Sequence, residues 1–181
     1  NGIRCKISSW KRVGANTIPH ASKATGIYLN SMLAVIEANR AGYDEAILLT
    51  DEGYIADGSG ENVFVVKDGK ITTPPLSTSI LPGITRNSII QIAQDLGYTV
   101  EETHLICTDL YLADEIFMTG TAAEVTPIRS VDDQEVGPPG DVTLKLQKAY
   151  LDTVRGGSER WSHWLEYATI PSQSPAPTPA A

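Results

Sequence analysis

A mixed α/β domain of the α+β kind is the fold this sequence predicts, and three observations predict it. Stretches with helical i, i+3, i+4 spacing alternate with short apolar runs bounded by turn residues. Several of those runs come as hairpins, so there is neither strict β-α-β alternation nor an internal repeat. The length, 181 residues with 41% hydrophobic and 20% charged, suffices for one substantial core with extensions.

Over residues 24–40 the apolar positions Ile27, Tyr28, Met32, Leu33, Val35 and Ile36 mostly share one helical face, and Gly42 is placed to end the helix. Residues 45–50 predict a buried strand, Asp51-Glu-Gly53 a hairpin turn, and Tyr54-Ile-Ala the returning strand. Residues 62–66 form the next strand, turned by Lys67-Asp-Gly69-Lys into Ile71-Thr-Thr. Residues 74–82, rich in Ser, Thr and Pro, are a loop. Thr85 begins a second amphipathic helix carrying Ile89, Ile90, Ala93 and Leu96, and Gly97 stops it. Strands follow at 98–101 and 115–119, with a short helical turn near 110–112 between them. Residues 125–136 predict a strand pair turned at Asp132-Asp133. Asp141 or Thr143 caps a last helix to about Val154, ended by Gly156-Gly157. The Pro- and Ala-rich tail, 168–181, is too poor in core-forming residues to pack and is expected to be disordered.

The net charge of −8, without a Lys/Arg cluster, argues against non-specific binding to nucleic acid or an anionic membrane. No apolar run approaches the roughly 18 residues a membrane span needs. The opening Asn1-Gly-Ile-Arg-Cys-Lys has neither a signal-peptide core nor an initiator Met. The chain thus reads as begun in mid-protein, and the lack of a targeting signal points to a cytoplasmic protein. Cys5 and Cys107 are expected to be buried free thiols, and His20, His104 and His163 share no metal-ligand spacing.

The chemistry lies in four segments. Lys23 precedes the first helix among small residues (Ala21, Ser22, Ala24, Thr25, Gly26) that would let a flat ring approach the backbone. Partial desolvation would lower its amine from about 10.4, as a Schiff-base lysine requires. Tyr28, five residues on, can aim a phenol at the same space. Asp57-Gly-Ser-Gly-Glu61-Asn62 joins two strands and offers a carboxylate at a strand end, suited to a pyridinium N–H. Leu81-Pro-Gly-Ile84-Thr85 opens a helix whose free N–H groups and positive dipole end suit a phosphate. Thr119-Gly-Thr121-Ala122 offers further amides for a phosphate or a substrate carboxylate. Each segment alone also fits an ordinary solvated lysine, polar hairpin, Thr cap or strand end. Their order in one chain is the parts list for pyridoxal 5′-phosphate.

Ser8-Ser-Trp-Lys-Arg, Asn16-Thr-Ile-Pro, Lys23-Ala-Thr-Gly-Ile-Tyr28-Leu, Gly58-Ser-Gly-Glu-Asn62, Leu81-Pro-Gly-Ile-Thr-Arg86 and the run from Tyr111 to Pro127 resemble the branched-chain amino acid aminotransferases. These are class IV, fold-type IV pyridoxal-phosphate enzymes, and the resemblance spans residues 3–167. It implies that residues 16–167 are the large cofactor-binding domain, that 1–15 hold an interdomain segment and first strand, and that the family's smaller N-terminal domain is absent. It further implies Lys23 as the lysine that joins the cofactor and moves the substrate proton, and Tyr28 on the ring hydroxyl. Ile84, Thr85 and Thr121 would bind the phosphate, and Thr121 and Ala122 would approach the substrate carboxylate. Glu61 and Asn62 would play supporting parts. The family's ring-nitrogen carboxylate is normally Glu, and here Asp57 stands in its place, one methylene shorter.

The implied reaction is transamination of Leu, Ile or Val with 2-oxoglutarate, by a homo-oligomer. A D-amino acid transaminase or an aminodeoxychorismate lyase would share the lysine and Gly-Ile-Thr elements, but Ser8-Ser-Trp and the run ending at Pro127 favour the branched-chain group. A non-catalytic relative using the fold for interaction is the reading from a different class.

Overall fold

The structure, a computed structural model, describes residues 2–14 and 16–168. Its strands are β1 (Ile3–Lys11), β2 (Glu45–Leu49), β3 (Ile55–Gly58), β4 (Asn62–Lys67), β5 (Lys70–Thr73), β6 (Val100–Glu102), β7 (Glu115–Gly120), β8 (Glu124–Val131) and β9 (Gln134–Glu135). The helices are α1 (Ile27–Arg40), α2 (Ile84–Asp95), α3 (Cys107–Tyr111) and α4 (Asp141–Val154). One mixed sheet takes the order β3-β2-β1-β8-β7-β4-β5-β6, with β9 on β8. β1 runs parallel to both its neighbours, β2 and β8, and β5 is parallel to β6; the other pairs are antiparallel.

Connectivity forces this sheet to curl. β3 and β4 stand first and sixth in the order, which in a flat sheet would set them about 24 Å apart. Only Ser59-Gly60-Glu61 joins them, a reach of about 14 Å at most. The six strands therefore wrap round until β3 meets β4, where the Gly58 N–H donates to the Glu61 carbonyl at 2.7 Å.

Curling gives the sheet two buried faces. Cys5, Ile47, Ile55, Val63, Val65, Ile116, Met118 and Val131 meet Leu105 and Leu110 in one cluster. On the opposite face Phe64, Val66 and Phe117 pack with Ile89 and Ile92 of α2 and Leu146 of α4. β4 thus reads as an unbroken apolar run because alternate side chains enter two different cores. Phe64 lies opposite Phe117, and the rings stack at 4.9 Å. On α1, Ala34 and Ala38 present no bulk and lie close over Ala46 and Leu48. The outer side of α1 leaves Leu29, Met32 and Ile36 exposed.

The helix starts depart from the sequence reading. α1 begins at Ile27, not Ala24, because residues His20–Ser22 form a 3₁₀ turn and Lys23 adopts a left-handed conformation (φ 50°, ψ 37°). Thr85 is not a cap: Gly83 holds that position, and Thr85 lies inside the first turn. Neither Asp141 nor Thr143 caps α4, whose N-cap is Gly140. The capping group comes from β7, where the Glu115 carboxylate accepts from the N–H groups of Val142 at 3.1 Å and Thr143 at 2.7 Å. Glu115 fills the space a Cβ at residue 140 would need, which accounts for the glycine. Cys5 is buried and Cys107 only partly so, and both are free thiols. Residues 169–181 of the expected disordered tail lie outside the described residues. Glu115→Ala is expected to lower stability by about 1–2 kcal/mol, read by urea denaturation.

Candidate active site

The site starts from a charge that the fold buries. Arg12, one residue past β1, is 4% exposed, and its own N–H continues the strand by donating to the Leu49 carbonyl at 2.8 Å. Such a cation needs partners on every side. Its Nε donates to the Asp57 carboxylate at 2.8 Å, one terminal nitrogen to Ser31 Oγ at 3.0 Å, and the other to the Gly58 carbonyl at 2.6 Å. The end of β1, the end of β3 and the buried side of α1 are thereby fixed to one guanidinium.

Asp57 is 6% exposed at the end of β3. Burial pushes its carboxyl up from 3.8 to about 6, against the charge and hydrogen bond of Arg12 and a hydrogen bond from the Leu81 backbone. Burial also raises the neighbouring Glu61 carboxyl, with the Glu45 charge adding to it.

Arg12 and Asp57 form the floor of a cavity whose wall also includes His20, Lys23, Tyr28, Ser31, Gly60 and Asn62. Three of the predicted site residues, Lys23, Tyr28 and Asp57, therefore face one space. Lys23 follows the 3₁₀ turn, and its N–H donates to the His20 carbonyl at 3.1 Å. The left-handed backbone costs a non-glycine residue about 1–2 kcal/mol, strain that the turn holds in place. Lys23 is exposed, so the described residues do not supply the desolvation expected of its amine. Tyr28, in the first turn of α1, is 42% exposed.

The remaining predicted residues stand beside this cavity rather than in its wall. Ile84 and Thr85 open α2, whose first turn has no side-chain cap among the described residues and so keeps N–H donors without a partner there. Ile84 is exposed, whereas Thr85 is buried, with its hydroxyl 3.5 Å from the Tyr150 phenol. This helix start is keyed to the cavity by Asn62, which donates to the Leu81 carbonyl at 3.0 Å and fills the space beneath Gly83. Thr121 and Ala122 lie exposed in the turn between β7 and β8. That turn abuts the cavity wall at Gly120, where a Cβ would come 3.3 Å from the Gly60 carbonyl. The Gly58–Asn62 link thus meets Arg12, the start of α2 and the β7–β8 turn.

Sequence reasoning misses Arg12 and His20. Arg12 closes the Ser8-Ser-Trp-Lys-Arg motif, but nothing in its spacing tells that Asp57, Ser31 and Gly58 surround it. His20 enters the sequence reading only as one of three histidines that share no metal-ligand spacing. Among the described residues no cluster of three or more His, Cys, Asp or Glu side chains could hold a metal, and no helix is long and apolar enough to cross a membrane.

A mixed, curled sheet with a lysine, a phenol and a buried carboxylate around one cavity belongs to a known class. Residues 1–131 match the family of class IV amino-transferases, and the chain belongs to it. Within that family it is 52% identical over 167 residues to the branched-chain-amino-acid aminotransferase of Escherichia coli strain K12, covering 91% of this chain and 54% of that protein. The branched-chain aminotransferase of Thermobaculum terrenum in its PLP form superposes with a TM-score of 0.90 at 42% identity, over 92% of this chain and 55% of that one. The branched-chain aminotransferase of the archaeon Thermoproteus uzoniensis with norvaline gives 0.89 at 46% identity, over 92% and 56%. The chain spans about half the length of the relatives it matches.

Folding raises the Asp57 carboxyl from 3.8 to about 6, so the folded chain holds that proton more tightly than the unfolded one. The group's contribution to stability is full below about pH 4, falls as pH rises towards about 6, and stays lost above it. Wild-type stability relative to Asp57→Asn, from denaturant titrations at a series of pH values, is expected to decline across that interval. A difference that does not vary with pH counts against the burial assigned to Asp57.

Proposed function

We propose that this chain supplies the pyridoxal 5′-phosphate site of an aminotransferase acting on L-leucine, L-isoleucine and L-valine, with 2-oxoglutarate as acceptor. The observation that carries this reading is the convergence of Lys23, Tyr28 and Asp57 on one cavity. About 50% identity to enzymes named for this activity adds to it. The residues suit the cofactor: a primary amine for its aldehyde, a buried carboxyl for its ring nitrogen, a phenol for its ring hydroxyl and small wall residues for a flat ring. When bound, it supplies an aldehyde to capture the amino group and a conjugated ring that withdraws electrons from the substrate carbon.

The chain's own residues divide the remaining work. Lys23 would be the attachment point for the aldehyde, and its free Nζ would take the proton from the amino acid Cα and hold it for return. Asp57, oriented by Arg12, would meet the ring nitrogen, and Tyr28 would donate to the ring hydroxyl. The open amides of Ile84 and Thr85, with Thr121, would hold the phosphate, and the amides at Thr121 and Ala122 would receive the substrate carboxylate. Asn62 and Glu61 keep the hairpin and the start of α2 in register. The second half-reaction runs these proton movements in reverse with the 2-oxo acid.

The assembly proposed for the full-length protein is a cytoplasmic homo-oligomer, dimer or larger. The exposed Leu29, Met32 and Ile36 on α1 are an apolar strip suited to cover by further chain or by another copy. The net charge of −8 supports small-molecule substrates rather than nucleic acid or anionic membrane as partners.

Full-length protein with added pyridoxal 5′-phosphate is expected to show a visible absorbance band that Lys23→Ala abolishes, and to form 2-oxo acid from L-leucine but not from D-alanine. A band that survives Lys23→Ala would sink the reading. Asp57→Glu, which restores the reach of the family carboxylate, is expected to raise the transamination rate. No gain with an unchanged cofactor spectrum would remove Asp57 from the ring-nitrogen role.

A further inference from the structure

His20 is a buried cavity-wall residue for which neither the reading above nor the fold has a use. It starts the 3₁₀ turn that presents Lys23, and its side chain lies in the cavity wall with Lys23, Tyr28 and Asp57. It is 6% exposed, yet neither ring nitrogen has a hydrogen-bond partner among the described residues. A buried polar group left unpaired costs about 1–3 kcal/mol, so a folded chain keeps such a group only where something else satisfies it. Nothing about the turn itself requires an imidazole, because the turn is closed by backbone: the Lys23 N–H reaches the His20 carbonyl and the Ser22 N–H the Pro19 carbonyl.

We infer that His20 is a cofactor-binding residue, a neutral imidazole that hydrogen-bonds the pyridine-ring end of the bound pyridoxal group. The ring end is indicated by its companions. Lys23, Tyr28 and Asp57 share this wall with His20, whereas Ile84, Thr85 and Thr121, the phosphate residues of the reading above, do not. The neutral form follows from the surroundings. Burial first, and the Arg12 guanidinium second, hold the imidazole below its ordinary value of 6.5. A neutral imidazole brings one donor and one acceptor and no charge. It can therefore hold a ring substituent beside Arg12 without competing for the proton that Asp57 shares with the ring nitrogen.

This inference rests on the pyridoxal-phosphate reading, and titrations of the full-length protein separate the two. His20→Leu keeps bulk in the wall and removes both nitrogens. It is expected to weaken pyridoxal 5′-phosphate binding about tenfold, the loss of one hydrogen bond to a buried group. The phosphate-free analogue pyridoxal should lose the same factor. At the same time the cofactor-free variant should melt at or above the wild-type temperature, because an unpaired buried group has been replaced by an apolar one. A merely structural histidine would move both readouts the other way: lower melting temperature, unchanged affinity. Either of those results overturns the inference, as does a loss seen with pyridoxal 5′-phosphate but not with pyridoxal. If the leucine variant fails to fold, the wild-type protein decides. A slowly exchanging imidazole N–H resonance from His20 should appear in its NMR spectrum on cofactor addition, and its absence overturns the contact. Failure of the wild-type protein to bind the cofactor at all strikes the aminotransferase reading and this inference together. Tight wild-type binding with an indifferent His20 strikes this one alone.

Discussion

The buried Arg12–Asp57 pair is the interaction from which the rest of the site takes its position. Two charges removed from water must be repaid by geometry, and here the guanidinium meets a carboxylate, a hydroxyl and a carbonyl drawn from α1, β3 and the hairpin. Removing either partner would leave the other charge stranded in the wall of a cavity. The pair also divides labour within Asp57. Burial raises the carboxyl towards protonation while Arg12 pulls it back, leaving it titrating near 6 rather than permanently committed to its partner. A carboxyl in that balance can answer to a third group, and a ring nitrogen is such a group.

What the ion pair fixes chemically, sheet closure fixes sterically. The three-residue link between the first and sixth strands curls the sheet and presses Ser59, Gly60 and Glu61 into the cavity wall. Two other segments then register on this hairpin through small residues. Gly83 leaves room for the Asn62 amide, and Gly120 sits against the Gly60 carbonyl. A side chain at either glycine would push the start of α2 or the β7–β8 turn away from the hairpin. Segments spread over more than sixty residues of sequence are in this way held around one space, although only some of them line it.

Legibility in the sequence follows the range of the interactions. The strands and hairpins were readable because local signals set them: short apolar runs in β4 and β7, and turn residues at Asp51–Gly53, Asp68–Gly69 and Asp132–Asp133. The stops at Gly42, Gly97 and Gly156 were readable for the same reason, since each glycine takes the positive φ that a helix end requires. Helix starts were not. The group that caps α4 is Glu115, on a strand some twenty-five residues earlier, and the left-handed Lys23 that delays α1 is held by a turn whose sequence looks helical. Lys23, Tyr28 and Asp57 were legible as types in an order. Arg12 was not, because its acceptors lie at 31, 57 and 58 and no spacing links them. The strand order itself, with β8 between β1 and β7, follows from packing that no window of sequence contains.

The site is graded from rigid to open, and the grading bears on what this chain can determine. Arg12, Asp57 and His20 are almost fully buried, while Lys23 and Tyr28, at the mouth of the same cavity, are exposed. At the buried end, Arg12 and Asp57 hold each other in place. At the exposed end, water competes with every contact, and a lysine that must shed a proton works best where water is excluded. The chain accounts for about half the length of its relatives, and the strip on α1 beside the mouth is apolar and uncovered. The physical consequence is a separation of tasks. Under the proposed function, the ring end of the cofactor falls to groups present here, each open to test by substitution. Desolvation of Lys23 would need cover over the mouth, where the described residues leave it exposed.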